Sequence, residues 1–192
     1  MIAVSQAKQV VLEVEGNYQK QTHRNRTYIA HNNGKLLLNI PIKNSKDRSR
    51  KHMHSTKIEN DFSWQSHHWK SIQTAYRTSP FFEYYEEDLK HLFTKKASSL
   101  LELNLEIFDV LCDILGVEAV ISKTLTYEHH PAILDLRPLI EIKNIYHYKL
   151  EPYTQVLQEH HGFIPNLSIL DLLFNEGPNA LNYLERQKVP FR

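Results

Sequence analysis

The sequence predicts an α/β fold: a small sheet from the N-terminal half covered by helices, then a helix-rich C-terminal half whose last long helix packs into the core. Three observations carry this expectation. Val10, Val11, Leu12 and Val14 crowd into residues 9–15, and Gly16-Asn17 closes the run, which is the composition of a short strand. Two apolar runs flank His31-Asn32-Asn33-Gly34, a hairpin signal. Beyond residue 60, apolar residues recur every three or four positions, the period of a helix with one buried face. At 192 residues the chain fits one domain, 1–192.

The elements follow in order. Tyr28-Ile29-Ala30 and residues 36–42 form the hairpin strands, with Asn33-Gly34 supplying the positive φ angles that the turn requires. Pro41 cannot donate to a ladder and marks a strand end or edge. Residues 43–57 hold mostly Lys, Arg, His and Ser, with Asp47 the one acid and Met53 the one large apolar residue, and read as a solvated loop. Trp69, Ile72, Gln73 and Tyr76 lie at helical spacing. Ser79-Pro80 restarts the chain as N-cap and first helical residue, ahead of Phe81, Tyr85, Leu89 and Leu92. Ser99 and Glu102 form a capping box for a helix whose stripe is Leu101, Leu105, Phe108, Cys112 and Leu115, and Gly116 ends it. Residues 117–121 and 140–142 read as short strands. Asn166 caps a helix through Phe174, Gly177-Pro178 stops it, and a last short helix spans 179–186.

Composition narrows the function classes. Hydrophobic residues at 41% and charged residues at 23% are those of a globular chain. A formal net charge of +1 gives no field that attracts nucleic acid or an anionic membrane. No apolar run approaches the roughly 20 residues that span a bilayer. The lone Cys112 fits a reducing compartment, and the expected location is the cytoplasm. Twelve histidines include three adjacent pairs, but neighbours on a strand or helix point apart. No metal-ligand motif is present, and no metal is expected; no cofactor can be named. Five glycines form neither a dinucleotide fingerprint nor a P-loop.

Two polar constellations remain. In the first, Lys20, Arg24, Asn25 and Arg26 precede the hairpin. Two arginines one residue apart on an extended segment share a face, and two guanidinium forks suit a phosphate or carboxylate. Asn25 would point away and pin a backbone group. The competing reading is a charged strand edge that blocks unwanted pairing. In the second, Ser168, Asp171 and Asn175 lie three and four residues apart on a helix that is otherwise almost entirely apolar. A carboxylate there is expensive unless paired or functional. Asp171 could orient a histidine, hold an arginine or act as a base; the competing reading is a solvated helix face. Asn104, amid leucines, fits a structural hydrogen bond to nearby backbone.

At these residues the chain resembles the WbqC-like family, in particular its Bacteroidetes-type branch. The matching segments are NYQKQTHRNRTYI at 17–29, LLLNIPIK at 36–43, HWKSIQTAYRTSPFFEYYEEDL at 68–89 and FIPNLSILDLLFNEGPNAL at 163–181. The resemblance implies a cytosolic protein of surface-polysaccharide (O-antigen) biosynthesis, without fixing a reaction. Family members open with a strand, a polar-aromatic motif containing Pro, Tyr, Phe and Pro, and a short helix. Met1-Ile2-Ala3-Val4 falls inside that helix, so the resemblance implies an N-terminally shortened chain. The expected function is that of a transferase-type enzyme acting on a nucleotide-activated sugar or related phosphorylated substrate. Lys20, Arg24, Asn25 and Arg26 would bind the substrate, and Asp171, Asn175 and Ser168 would act on the acceptor. A non-catalytic binding or scaffolding protein is the alternative. Oligomeric state is left open by the sequence.

Overall fold

The computed structural model describes residues 1–43, 51–142 and 149–188. In chain order these form α1 (Ile2–Ser5), β1 (Gln9–Leu12), β2 (Arg26–His31), β3 (Gly34–Asn39), α2 (Trp64–Tyr76), α3 (Phe82–Thr94), α4 (Leu100–Leu115), β4 (Val120–Lys123), α5 (Gln158–His161), α6 (Ile169–Glu176) and α7 (Ala180–Arg186). Short 3-10 turns stand at Arg137–Ile140 and Gly177–Asn179. The fold is α/β, as expected, but the strands form two separate pairs among the described residues. β1 lies parallel to β4, and β2 lies antiparallel to β3.

The first strand stops at Leu12 instead of reaching residue 15 because side chains take over its bonding. The Val14 N–H donates to the Thr124 hydroxyl, and the Glu15 N–H donates to the Glu13 carboxylate. The hairpin turn is tighter than the sequence suggests. His31 pairs directly with Gly34 across the two-residue turn, and Gly34 alone carries a positive φ, +115°. Pro41 lies beyond the last strand residue, Asn39, where its missing N–H is harmless.

The main core joins β2 to α2, α3, α6 and α7. At its centre the Tyr76 and Phe82 rings stand 5.2 and 5.0 Å from that of Phe174, and all three side chains are buried. Fully burying a side chain of that size stabilises by roughly 1.5–3 kcal/mol, so this triplet is a principal anchor. Gly177 ends α6 at φ +53°, and a Cβ there would lie 2.5 Å from the Phe81 ring. Only glycine permits both that backbone and that approach. The last long helix is thus in the core, as expected.

A second, smaller core gathers Met53, Ile58, Trp64, Leu100 and Leu103. Here the structure corrects the loop expectation. Residues 44–50 lie outside the described residues, but Met53 and Thr56 are buried rather than solvated. Met53 is the one large apolar side chain of that stretch, and burying it ties the segment down.

Three other expectations are corrected. Ser79 does not cap α3: that helix begins at Phe82, and Ser79 sits buried in the preceding turn. Ser168, not Asn166, is the N-cap of α6, its hydroxyl accepting from the Leu170 N–H, while Asn166 takes a left-handed φ of +56° in the turn before it. Residues 140–142 do not form a strand; the 3-10 turn ends at Ile140, and Glu141 forms an isolated bridge to Thr22. On α4 the Ser99 cap holds, its hydroxyl accepting from the Glu102 N–H, and so does the Gly116 stop, but the buried face is Leu100, Leu103, Leu111, Cys112 and Leu115. Glu102, Glu106, Asp109 and Asp113 recur at spacings of 4, 3 and 4 on the outer side of α4, and the buried residues centre opposite that acidic stripe.

Candidate functional site

β2 links the two constellations: Arg26 opens it, and the second group meets it from Tyr28 onward. Its edge away from β3 is capped by the second group. The Ser168 N–H donates to the Tyr28 carbonyl at 2.7 Å, and the Ala30 N–H donates to the Tyr76 hydroxyl at 2.9 Å. Arg26 opens the same strand two residues before Tyr28 and four before Ala30, so these two contacts stand roughly 7 and 13 Å from it along the strand at 3.3 Å per residue. They are neighbours on one strand, not one constellation.

Asp171 is wholly buried, which removes the solvated-face reading for this residue. Its Oδ2 accepts from the Tyr153 hydroxyl at 2.6 Å and the Gln155 side-chain amide at 2.8 Å, and the Tyr76 hydroxyl lies against the same carboxylate. Its Oδ1 is buried with no hydrogen-bond partner among the described residues. Burial raises the Asp171 pKa; the Tyr153, Tyr76 and Gln155 donors pull against it. Burial also drives the Tyr76 and Tyr153 hydroxyls well above the usual phenol range, reinforced by the adjacent carboxylate. Both therefore stay protonated and serve as donors.

Gln155 completes the network. Its amide reaches the Ile164 carbonyl at 2.9 Å, and its oxygen accepts from the Ile164 N–H at 2.8 Å. Asn175 locks the same stretch: its Oδ1 accepts from the Val156 N–H at 3.0 Å, and its Nδ2 donates to the Asp171 carbonyl at 2.7 Å. Asp171 and Asn175 thereby bind residues 153–164 to α6, and Ser168 caps that helix. Chemically this is a closed hydrogen-bonded knot. No substrate could touch Asp171 unless the 153–156 stretch moved.

The first constellation is organised differently. Arg24 lies in a turn, not on an extended segment, so the shared-face argument from strand alternation does not apply. Burial raises the Tyr18 pKa, and the Arg26 and Arg24 charges act the other way. The Arg24 backbone is fixed by Asn104, whose amide donates to its carbonyl at 2.8 Å, the structural role expected of that residue. The Arg24 guanidinium reaches the Gln19 and Thr22 side-chain oxygens, each at 3.4 Å. Arg26 Nε donates to Asn39 Oδ1 at 3.0 Å. Buried Asn25 donates to that same oxygen at 3.2 Å and to the Ile40 carbonyl at 2.8 Å, pinning backbone as expected. Lys20 is exposed.

Neutral oxygens thus orient both guanidinium groups. Among the described residues neither has a carboxylate oxygen within 4 Å. Partial burial lowers the Arg24 pKa, with Glu141, Tyr127 and Tyr18 acting the other way. Arg137 is the contrast: it is clamped by Asp135 at 2.7 and 2.8 Å and takes two backbone carbonyls besides. That arginine is spent on folding the 128–137 stretch.

The match to known sequences covers both groups. The WbqC-like family profile aligns with residues 2–144 and 137–183. The chain belongs to the WbqC-like protein family. Outside that profile, this WbqC-like chain is similar to "Uncharacterized protein Rv1507c" of Mycobacterium tuberculosis (strain ATCC 25618 / H37Rv), at 24% identity over 194 residues, 87% of this chain and 83% of that protein. No solved structure matches it. Among the described residues, no group of three or more His, Cys, Asp or Glu is placed to hold a metal ion, and no helix is long and apolar enough to cross a membrane.

Sequence reasoning missed Tyr18, Asn39, Tyr76, Tyr153 and Gln155. Tyr76 was visible only as a core residue, and its hydroxyl role has no sequence signal. Tyr153 and Gln155 lie in a stretch with no periodicity, next to Pro152.

Proposed function

We propose that this WbqC-like protein is a transferase-type enzyme of surface-polysaccharide biosynthesis, working in the cytoplasm on a nucleotide-activated sugar or related phosphorylated substrate. Arg24 and Arg26 hold its phosphate, with Asn25 and Lys20 beside them. One observation carries the reading: both guanidinium groups are oriented by amide and hydroxyl oxygens, and no described carboxylate lies within 4 Å of either. Cations that serve the fold are ordinarily neutralised, as Arg137 is. Cations that serve an anionic ligand are held by neutral groups and keep their charge for it.

In this reading Asp171, Asn175 and Ser168 act through the acceptor side of the site by positioning the 153–164 stretch, and Asp171 meets substrate only when that stretch opens. The test is thermal unfolding against nucleotide sugars, free nucleotides and divalent metals. Saturating ligand at a hundredfold excess over Kd raises stability by about 2.7 kcal/mol. We expect a shift with one phosphorylated class. Removing one charged hydrogen bond, worth about 1.5–3 kcal/mol, should weaken that binding by one to two decades in Arg24→Ala. Unchanged affinity in that variant removes Arg24 from the site.

The sealed Asp171 favours a second reading, a non-catalytic binding protein that uses the same arginines. Asp171→Asn separates the two. Loss of turnover at an unchanged melting temperature supports the enzyme, whereas a change in stability alone supports the binding protein.

A further inference from the structure

Asn39 stands directly opposite Arg26 across the hairpin. One step further out, Asn25 faces Ile40, and the Ile40 N–H donates to the Asn25 carbonyl at 2.9 Å. Bonded and non-bonded pairs alternate along an antiparallel ladder, so Arg26 and Asn39 form a non-bonded pair, the kind whose side chains stand closest. The contact is made: Arg26 Nε donates to Asn39 Oδ1 at 3.0 Å.

That oxygen has no capacity left. The Asn25 amide donates to it as well, at 3.2 Å, and two donors occupy the two lone pairs of an amide oxygen. Turning the Asn39 amide over would set its own N–H groups against both donors, so the group has one orientation. Its nitrogen is held beside the guanidinium as a donor, on an exposed side chain and with no partner among the described residues. Asn25 sets this polarity. It is buried, its amide is shared between Asn39 Oδ1 and the Ile40 carbonyl, and its own Oδ1 has no partner among the described residues. A buried unpaired acceptor is a net cost, so Asn25 stands there for its amide and not for its oxygen.

Arg26 commits only Nε to Asn39. Its two terminal nitrogens have no partner among the described residues. The terminal N–H groups of a guanidinium engage two oxygens of an anion side by side. A carboxylate then has no oxygen left to offer. A phosphoryl group has a third, out of that plane, which an amide N–H beside the guanidinium can reach.

We propose that Asn39 is a binding residue of the phosphate site, its Nδ2 donating to a third phosphoryl oxygen while the Arg26 guanidinium holds two. Asn39 thereby selects tetrahedral phosphoryl groups over planar carboxylates. This rests on the phosphate-binding reading above and deepens it: phosphate esters are the ligands, and carboxylic acids of similar size are the poorer ones.

The experiment is an NMR titration of the whole chain with inorganic phosphate and acetate as the probes. The Asn39 side-chain amide and Arg26 Nε–H signals are the readouts, identified by their loss in Asn39→Ala and Arg26→Ala. Phosphate is expected to shift both signals with one dissociation constant. Wild type should bind phosphate at least about tenfold more tightly than acetate, the equivalent of about 1.4 kcal/mol. Asn39→Ala should weaken phosphate at least about fivefold and leave acetate within about twofold. A residue that only orients Arg26 would, when removed, weaken both probes alike. Asn39→Asp keeps an acceptor for Asn25 and Arg26, so it should melt as wild type does, yet lose phosphate because an anionic oxygen replaces the donor. Equal affinity of wild type for the two probes, an Asn39→Ala variant that weakens both alike, or Asn39→Asp binding phosphate as wild type does overturns the Asn39 assignment and leaves the arginine site standing. Absence of phosphate binding, or binding indifferent to both Arg24→Ala and Arg26→Ala, overturns the phosphate reading itself.

Discussion

Replacing Asp171 tests whether the buried knot is held by its carboxylate. Asp171→Ala leaves the Tyr153 hydroxyl and the Gln155 amide facing a position with no acceptor. Each buried donor without a partner costs about 1–3 kcal/mol, so the variant should lose about 2–6 kcal/mol. For a chain this size that is a fall in melting temperature of roughly 5–20 °C. Asp171→Asn keeps an oxygen for both donors and should lose much less. The pH dependence then distinguishes charge from shape. Burial holds the Asp171 pKa above its ordinary 3.8. As pH rises from that value, the unfolded chain releases this proton first, so the folded state binds more protons. The residue's contribution to stability therefore falls with rising pH, until the folded pKa is passed. The asparagine variant lacks this decline, so its melting temperature relative to wild type should climb across that window and then level off. Calorimetric scans at a series of pH values check both statements. An alanine variant as stable as the asparagine one, or a difference indifferent to pH, refutes the argument.

Two further outcomes are expected. Gly177→Ala should be strongly destabilising, because its Cβ would meet the Phe81 ring at 2.5 Å on a backbone at φ +53°; left-handed strain alone costs about 1–2 kcal/mol, and a melt unchanged from wild type would contradict the packing. Burial pulls the His68 imidazole down to about 4, so its proton NMR signals should titrate there rather than near 6.5. The unfolded chain takes up that proton first as pH falls, so stability is lost between about 6.5 and about 4. His68→Gln should remove that share of the loss, and an imidazole titrating at its ordinary value would dismiss it.

The sequence by itself determined what local physics governs. The hairpin around Gly34, the Ser99 cap and Gly116 stop of α4, and an α6 too apolar to lie anywhere but inside are properties of neighbouring residues. So is the family, whose profile spans both constellations. Only the tertiary structure decided that β1 finds its partner more than a hundred residues later in β4, and that Met53 is a core residue. Each of these depends on what arrives from elsewhere in the chain. The two polar groups divide the same way. Arginines and an aspartate flagged themselves by being costly where they stood. How each is met depends on the fold: Tyr76, Tyr153 and Gln155 close around Asp171, while neutral Gln19 and Thr22 in the local turn and Asn39 across the hairpin orient the arginines.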